Sequence, residues 1–207
     1  MNWQKIDQQN IWHPFSPLSE KPVIQVKKGR GVYLQTIENK WIIDCISSWW
    51  VNIHGHANKQ IARAIGKQAS RLEQVIFAGF THEPAVKLSQ LLLKLLPNTQ
   101  SKLFFSDDGS TSVEVALKIA IQYWKNQGIK RKKIIAIDGA YHGDTFGSMS
   151  VGERGIFNLP FFDFLFEVDF IPFPEGNGEK SIEKMKELAS EDTALFIFEP
   201  LGQGASG

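Results

Sequence analysis

The residues of this chain that can do chemistry gather where apolar runs end. The first such place is Ser106-Asp107-Asp108-Gly109-Ser110-Thr111-Ser112-Val113-Glu114. An apolar run stops there, a glycine permits a tight turn, and helical spacing begins behind three hydroxyl residues. The first backbone N–H groups of a helix have no partner within it, and the macrodipole adds partial positive charge. Gly109 lets the backbone approach a ligand, and Ser110 and Thr111 can donate hydroxyls, which is the chemistry of a phosphate cradle. The same residues also read as ordinary capping, with Thr111 and Glu114 in capping-box positions. The two readings are compatible, since Ser110 can meet a phosphate while Thr111 caps. No Gly-Lys-Ser/Thr follows, so the run is not a P-loop.

The second place is Asp138-Gly139-Ala140-Tyr141-His142-Gly143-Asp144-Thr145-Phe146-Gly147, where three glycines bracket an aromatic, an imidazole and a carboxylate. A flat ring could stack on Tyr141; alternatively the tyrosine packs on its neighbours. The third is Glu199-Pro200 before a glycine-rich loop, where Glu199 either orients a polar group or is simply solvated or capping. Ahead of these lies Ser47-Ser48-Trp49-Trp50-Val51-Asn52-Ile53-His54-Gly55-His56. Adjacent tryptophans point to different sides, so one can pack while the other lines a pocket. His54 and His56 lack a third ligand at matching spacing, so no metal site is assigned. Gly29-Arg30-Gly31 has Leu34 where a dinucleotide fingerprint needs Gly or Ala, and Gly147–Gly152 is not a nucleophile elbow.

The elements that must position these residues follow from hydrophobic spacing. Residues 1–22, with Pro14, Pro17 and Pro22, read as loop. Val23–Val26, Val32–Gln35 and Trp41–Cys45 read as an antiparallel meander, with a hairpin turn at Glu38 and Asn39. Helical spacing runs from Ile61 to Val75 and again from Pro84 to Leu96, the latter capped by Thr81 and stopped by Pro97. Lys102–Phe105 is a short strand, Val113–Trp124 a helix, Lys133–Ile137 a strand, Ser181–Ala189 a helix and Ala194–Phe198 a strand. Alternating helices and strands from about residue 60 onward predict a parallel sheet covered on both faces. Ligands of such sheets bind at the carboxyl ends of strands, which is where the three clusters fall.

Composition sets outer bounds. The chain has 207 residues, with 23 Lys and Arg against 22 Asp and Glu, a formal charge of +1. That balance argues against electrostatic capture of nucleic acid or an anionic membrane. Cys45 is the only cysteine, so neither an intrachain disulfide nor a cysteine-based zinc site is expected. The first ten residues lack the apolar core of a secretory signal, and Phe161–Ile171 is interrupted by acidic residues. A soluble, cytoplasmic α/β chain is the expectation.

Taken together and in order, Ile11-Trp12-His13-Pro14, Ser47-Ser48-Trp49-Trp50, Ile53-His54-Gly55, Asp108-Gly109-Ser110, Tyr141-His142-Gly143-Asp144-Thr145-Phe146-Gly147 and Glu199-Pro200 resemble the class III aminotransferases. Within that family, Trp-His-Pro and Ser-Ser-Trp-Trp resemble the branch that serves biotin synthesis. The resemblance covers essentially the whole chain. It implies a pyridoxal-phosphate-dependent transferase fold, aspartate aminotransferase-like and of fold type I, working as a homodimer. Residues 1–57 would contribute to the small domain, and 58–207 would form the first part of the large cofactor-binding domain. Gly109 and Ser110 would hold the phosphate of pyridoxal 5'-phosphate, Tyr141 would stack on its ring and face substrate, and His142 would support that loop. Trp49 and Phe15 would line the substrate pocket. The implied reaction passes an amino group from S-adenosylmethionine to 8-amino-7-oxononanoate, giving 7,8-diaminononanoate.

The chain departs from this pattern in two ways. Phe15 stands where the family usually has Tyr, which keeps a packing ring but removes a substrate hydrogen bond of about 1 kcal/mol. The Schiff-base Lys and the pyridinium-pairing Asp of the family lie downstream of Glu-Pro, past Gly207. The chain is therefore expected to be an N-terminal fragment, inactive alone, with an incomplete sheet that exposes apolar surface. Another class III enzyme acting on ω-amino acids, or a non-catalytic truncated chain, are the alternatives.

Overall fold

In the computed structural model the described residues are 2–17 and 22–204. The chain divides into two compact units, Met1–Lys94 and Leu95–Gly207.

The first unit opens with a helix, α1 (Trp3–Asn10), where the proline-rich start reads as loop. Asn2 supplies the missing signal: its side chain accepts from the Lys5 amide at 3.1 Å and caps the helix. Strands β1 (Val26–Arg30), β2 (Tyr33–Thr36) and β3 (Trp41–Ile43) form the expected antiparallel meander in the order β1-β2-β3. Its second turn carries Asn39 at φ 67°, a left-handed conformation that Asn tolerates well. A one-turn element, α2 (Ser47–Trp50), follows.

Helix α3 (Lys59–Ala69) is capped by Asn58, whose side chain accepts from the Gln60 and Ile61 amides. It ends earlier than the apolar spacing suggests, and Gln68 Nε2 donates past its end to the Leu72 carbonyl at 2.7 Å. Helix α4 (Glu83–Leu93) starts with proline in its first turn. Its cap is His82, not Thr81: the imidazole Nδ1 accepts from the Ala85 amide at 3.2 Å.

In the second unit no strand is formed at Lys102–Phe105, where the spacing predicts one. Helix α5 (Gly109–Asn126) leads to β4 (Lys133–Ile137), the short helix α6 (Phe146–Ser150), a 3₁₀ turn (Leu159–Phe164), β5 (Asp169–Ile171), α7 (Glu179–Leu188) and β6 (Thr193–Ile197). Strands β5, β4 and β6 form a parallel sheet in that order, with β4 in the middle. Burial on both faces explains why β4 is apolar from Ile134 to Ile137. Ile134 and Ala136 pack with Leu117 of α5 and Val151, whereas Ile135 and Ile137 pack with Ile171, Met185 and Leu188 on the α7 side. Strand β5 is short and begins with Asp169, so hydrophobic spacing alone misses it. At the β6 end, Phe196 and Phe198 stack with centroids 5.1 Å apart and stay largely exposed. Among the described residues no helix is long and apolar enough to cross a membrane.

Candidate active site

The end of α5 that faces the loops is built around Asp108. Its carboxylate accepts from the Thr111 amide at 2.8 Å, and Thr111 Oγ1 accepts from the Asp108 amide at 3.2 Å. The capping box is thus Asp108 with Thr111, which corrects the Thr111–Glu114 reading. The Thr111 hydroxyl also donates to Asp107 at 2.6 Å, so it is spent locally. Beyond it, the Ser112 amide donates to the Asp108 carbonyl. The amides of Gly109 and Ser110 are left without partners among the described residues. Open space lies beside Gly109, where an added Cβ would meet nothing within 4 Å. Ser110 Oγ accepts from the Asp144 amide at 3.0 Å, which leaves its own hydrogen to donate outward.

That last contact fastens the second loop, residues 138–147, to the helix. Gly143, at φ +124°, lies so close to Ser110 that any Cβ would overlap its hydroxyl. Glu114 reaches across from α5: its Oε1 accepts from Thr145 Oγ1 at 2.6 Å and from the Gly147 amide at 2.8 Å. Gly147 has no Cβ because the Glu114 carboxylate occupies that space. Ser148 Oγ completes the seam by donating to the Ser110 carbonyl at 2.8 Å. Sequence spacing marked Glu114 only as a cap; its acidic side chain on the inner face of an otherwise apolar helix was the available signal.

Tyr141 is half exposed, and its hydroxyl donates to Asp144 at 2.7 Å. Burial first, then Asp144, pushes the phenol pKa up to about 12, so it stays a neutral donor. The Tyr141 amide donates to Glu199 Oε1 at 2.9 Å, and Glu199 Oε2 accepts from Gly204 at 2.8 Å. Gln203 Nε2 donates to the Asp138 carbonyl at 2.7 Å, so the third loop latches the second twice. Glu199 therefore orients a backbone, not a solvent-facing group. His142 Nε2 is buried and has no partner among the described residues. Burial pushes its pKa down, against a smaller opposing effect of Glu199, and the ring is neutral near pH 7.

The other expected residues lie in the first unit. Phe15 stacks on Trp49 with centroids 5.3 Å apart and planes 28° off parallel, so the ring that replaces tyrosine does pack. Trp49 and Trp50 meet edge to face at 6.2 Å. Ser47, Ser48, Trp49 and Trp50 have φ of 49°, 48°, 65° and 67°. Left-handed backbone costs a non-glycine residue roughly 1–2 kcal/mol, so this turn needs an external hold. Asp44 Oδ2 accepts from Ser48 Oγ at 2.7 Å and contacts His56 Nε2 at 2.7 Å. The Ser48 amide and hydroxyl, then His56, hold the Asp44 carboxyl well below the usual carboxylate range. His56 is thus committed to Asp44.

The loop end of α5 fits a phosphate on chemical grounds. Two free amides at the start of an 18-residue helix, a hydroxyl with its proton to give, and open space beside Gly109 suit a doubly charged anion. The orphaned His142 nitrogen and the half-exposed Tyr141 ring sit on the loop fastened to that end. Known proteins share this frame. The profile of the class III aminotransferases matches residues 15–207. The adenosylmethionine-8-amino-7-oxononanoate aminotransferase of Synechococcus elongatus is 51% identical over 209 residues, covering 96% of this chain and 49% of the relative. The crystal structure of the enzyme of that name from Methanocaldococcus jannaschii superposes with a TM-score of 0.86 at 33% identity, over 93% of this chain and 45% of that one. An amine transaminase from an uncultivated Pseudomonas species, in its PLP-bound form, gives 0.81 at 25% identity, over 96% and 49%. The chain spans about half the length of the relatives it matches, and its fold is the corresponding part of their fold type I architecture. With the profile running through both units and half its residues shared with a curated relative, the chain belongs to the class III aminotransferase family.

Proposed function

We propose that the complete protein is the aminotransferase of biotin synthesis that moves the amino group of S-adenosylmethionine to 8-amino-7-oxononanoate. The observation that carries this reading is the α5 loop end, with the unspent Gly109 and Ser110 amides joined through Ser110 and Asp144 to the Tyr141 loop. The 51% identical relative bears the name of that activity.

In this reading Gly109 and Ser110 hold the phosphate of pyridoxal 5'-phosphate through two amides and one hydroxyl. Bound there, the cofactor supplies an electron sink and a carbonyl that accepts and returns an amino group. Tyr141 gives its ring face to the cofactor, and its hydroxyl stays tied to Asp144, so the ring cannot swing freely. His142 supports the loop as a neutral ring. Trp49 and Phe15 line the substrate side, offering an apolar wall to the carbon chain of 8-amino-7-oxononanoate. Phe15 cannot donate to substrate, so binding there relies on packing alone.

The relatives are about twice as long. The half that this chain does not match would supply the covalent lysine and the acid that pairs with the pyridinium nitrogen. Residues 1–57 would belong to the small domain and 58–207 to the large one, in a cytoplasmic homodimer. The test is an assay of the full-length protein with S-adenosylmethionine and 8-amino-7-oxononanoate, read by mass spectrometry. Formation of 7,8-diaminononanoate supports the reading. Turnover of an ω-amino acid with no diaminononanoate overturns it in favour of another class III activity.

A further inference from the structure

We infer that Asp44 is a positioning residue for the Trp49–Trp50 wall, acting through the left-handed turn that carries both rings. The inference rests on the reading that Trp49 lines the substrate pocket. Among the described residues none of the turn is buried, and the packing it receives is the Phe15 and Trp50 rings on Trp49. Its backbone bonds, from Trp50 to Ile46, from Asn52 to Ser47 and a longer one of 3.4 Å from Ser47 to the Asp44 carbonyl, are all local. The side chain that anchors the turn is Asp44: its carboxylate accepts from Ser48 Oγ at 2.7 Å, from the Ser48 amide and from the Ile46 amide at 3.4 Å.

Asp44 is itself fixed from the sheet side. Its amide donates to the Val32 carbonyl at 2.9 Å, and its carboxylate meets His56 Nε2 at 2.7 Å. His56 in turn exchanges two backbone bonds with Gly31, at 3.1 and 2.8 Å. Its side chain lies on Gly29, where an added Cβ would come within 2.6 Å of the His56 Cβ. The glycine pair that fails as a dinucleotide fingerprint thus gives the imidazole its seat. A continuous path runs from the β1–β2 hairpin through His56 and Asp44 to Ser48 and the two indoles. The side chains of Asp44 and His56 are only 6% and 14% exposed, so water competes poorly for these bonds.

An edge-to-face indole pair gives an exciton couplet in far-ultraviolet circular dichroism, which depends on the mutual angle of the rings. In the full-length protein without substrate, the spectrum of wild type minus that of Trp50→Phe isolates this couplet. Asp44→Ala, which keeps both tryptophans, is expected to lose it. Asp44→Asn, which keeps an acceptor for Ser48, retains most of it. With substrates, Asp44→Ala raises KM by about tenfold while kcat changes less than about threefold, as expected for a lost ground-state contact. If Asp44→Ala fails to fold, Ser48→Ala removes the hydroxyl contact while leaving the Ser48 amide on Asp44, and is expected to weaken the couplet in part. A folded Asp44→Ala or Ser48→Ala variant that keeps the full couplet overturns the assignment. Loss of the couplet in a protein that shows no amino transfer would instead count against the proposed reaction and leave the role of Asp44 standing.

Discussion

His142 shows how far a single residue can be read. Its place between two glycines marks it in the sequence, but only the fold reveals a buried ring nitrogen with no partner among the described residues. Because burial lowers its pKa in the folded state, the unfolded chain takes up the proton first as pH falls. The neutral ring therefore contributes fully above the ordinary histidine value near 6.5 and loses that contribution below it. Thermal unfolding of wild type should drop more between pH of about 7.5 and about 5.5 than that of His142→Asn, because Asn does not titrate. Asp44 has the opposite chemistry and the same direction. Its depressed carboxyl pKa stabilises the first unit above about pH 4, and that support is lost as pH falls further. Glu114 and Glu199 were harder to read, since each acts on amides more than thirty residues away and no local spacing encodes that.

At the scale of elements, long periodic segments were legible and exceptions were local. The spacing of α5 and the apolar run of β4 survive into the structure because both are buried against each other. Helix α1 was missed because one capping asparagine outweighed a proline-rich context, and β5 because three residues give no period to see. The start of α5 was legible as a capped helix start, although its cap is Asp108 with Thr111 and not Thr111 with Glu114. Two variants separate its roles. Asp108→Ala removes the cap and should cost about 1 kcal/mol in chemical denaturation, with the helix intact. Gly143→Ala should instead drive the loop away from Ser110, because a Cβ there overlaps the hydroxyl and the backbone is left-handed. Its expected signature is a loss of pyridoxal 5'-phosphate affinity of about tenfold or more, measured by fluorescence titration, with a smaller loss of stability.

Over the whole molecule, the sequence changes from meander to alternating helix and strand near residue 60, while the two compact units divide between residues 94 and 95. The second unit is stitched by side chains that sequence does not pair. Trp124 donates its indole N–H to the Ala194 carbonyl at 2.7 Å, beneath the Arg131 guanidinium at 3.8 Å from the ring centroid. Trp124→Phe should destabilise this unit by roughly 1–3 kcal/mol, because a partly buried carbonyl loses its donor. At the other end of α5, Ser110, Glu114 and Ser148 join the loop end to the Tyr141 loop, and the proposed function needs that end to be a phosphate site. The most direct test is a comparison of equilibrium affinities of the full-length protein for pyridoxal 5'-phosphate and for pyridoxal, in wild type and Ser110→Ala. The predicted result is a preference for the phosphorylated form of about a hundredfold or more, cut about tenfold by Ser110→Ala, in keeping with charge-assisted hydrogen bonds of about 1.5–3 kcal/mol each. Equal affinity for the two compounds, or a preference that Ser110→Ala leaves unchanged, would contradict it.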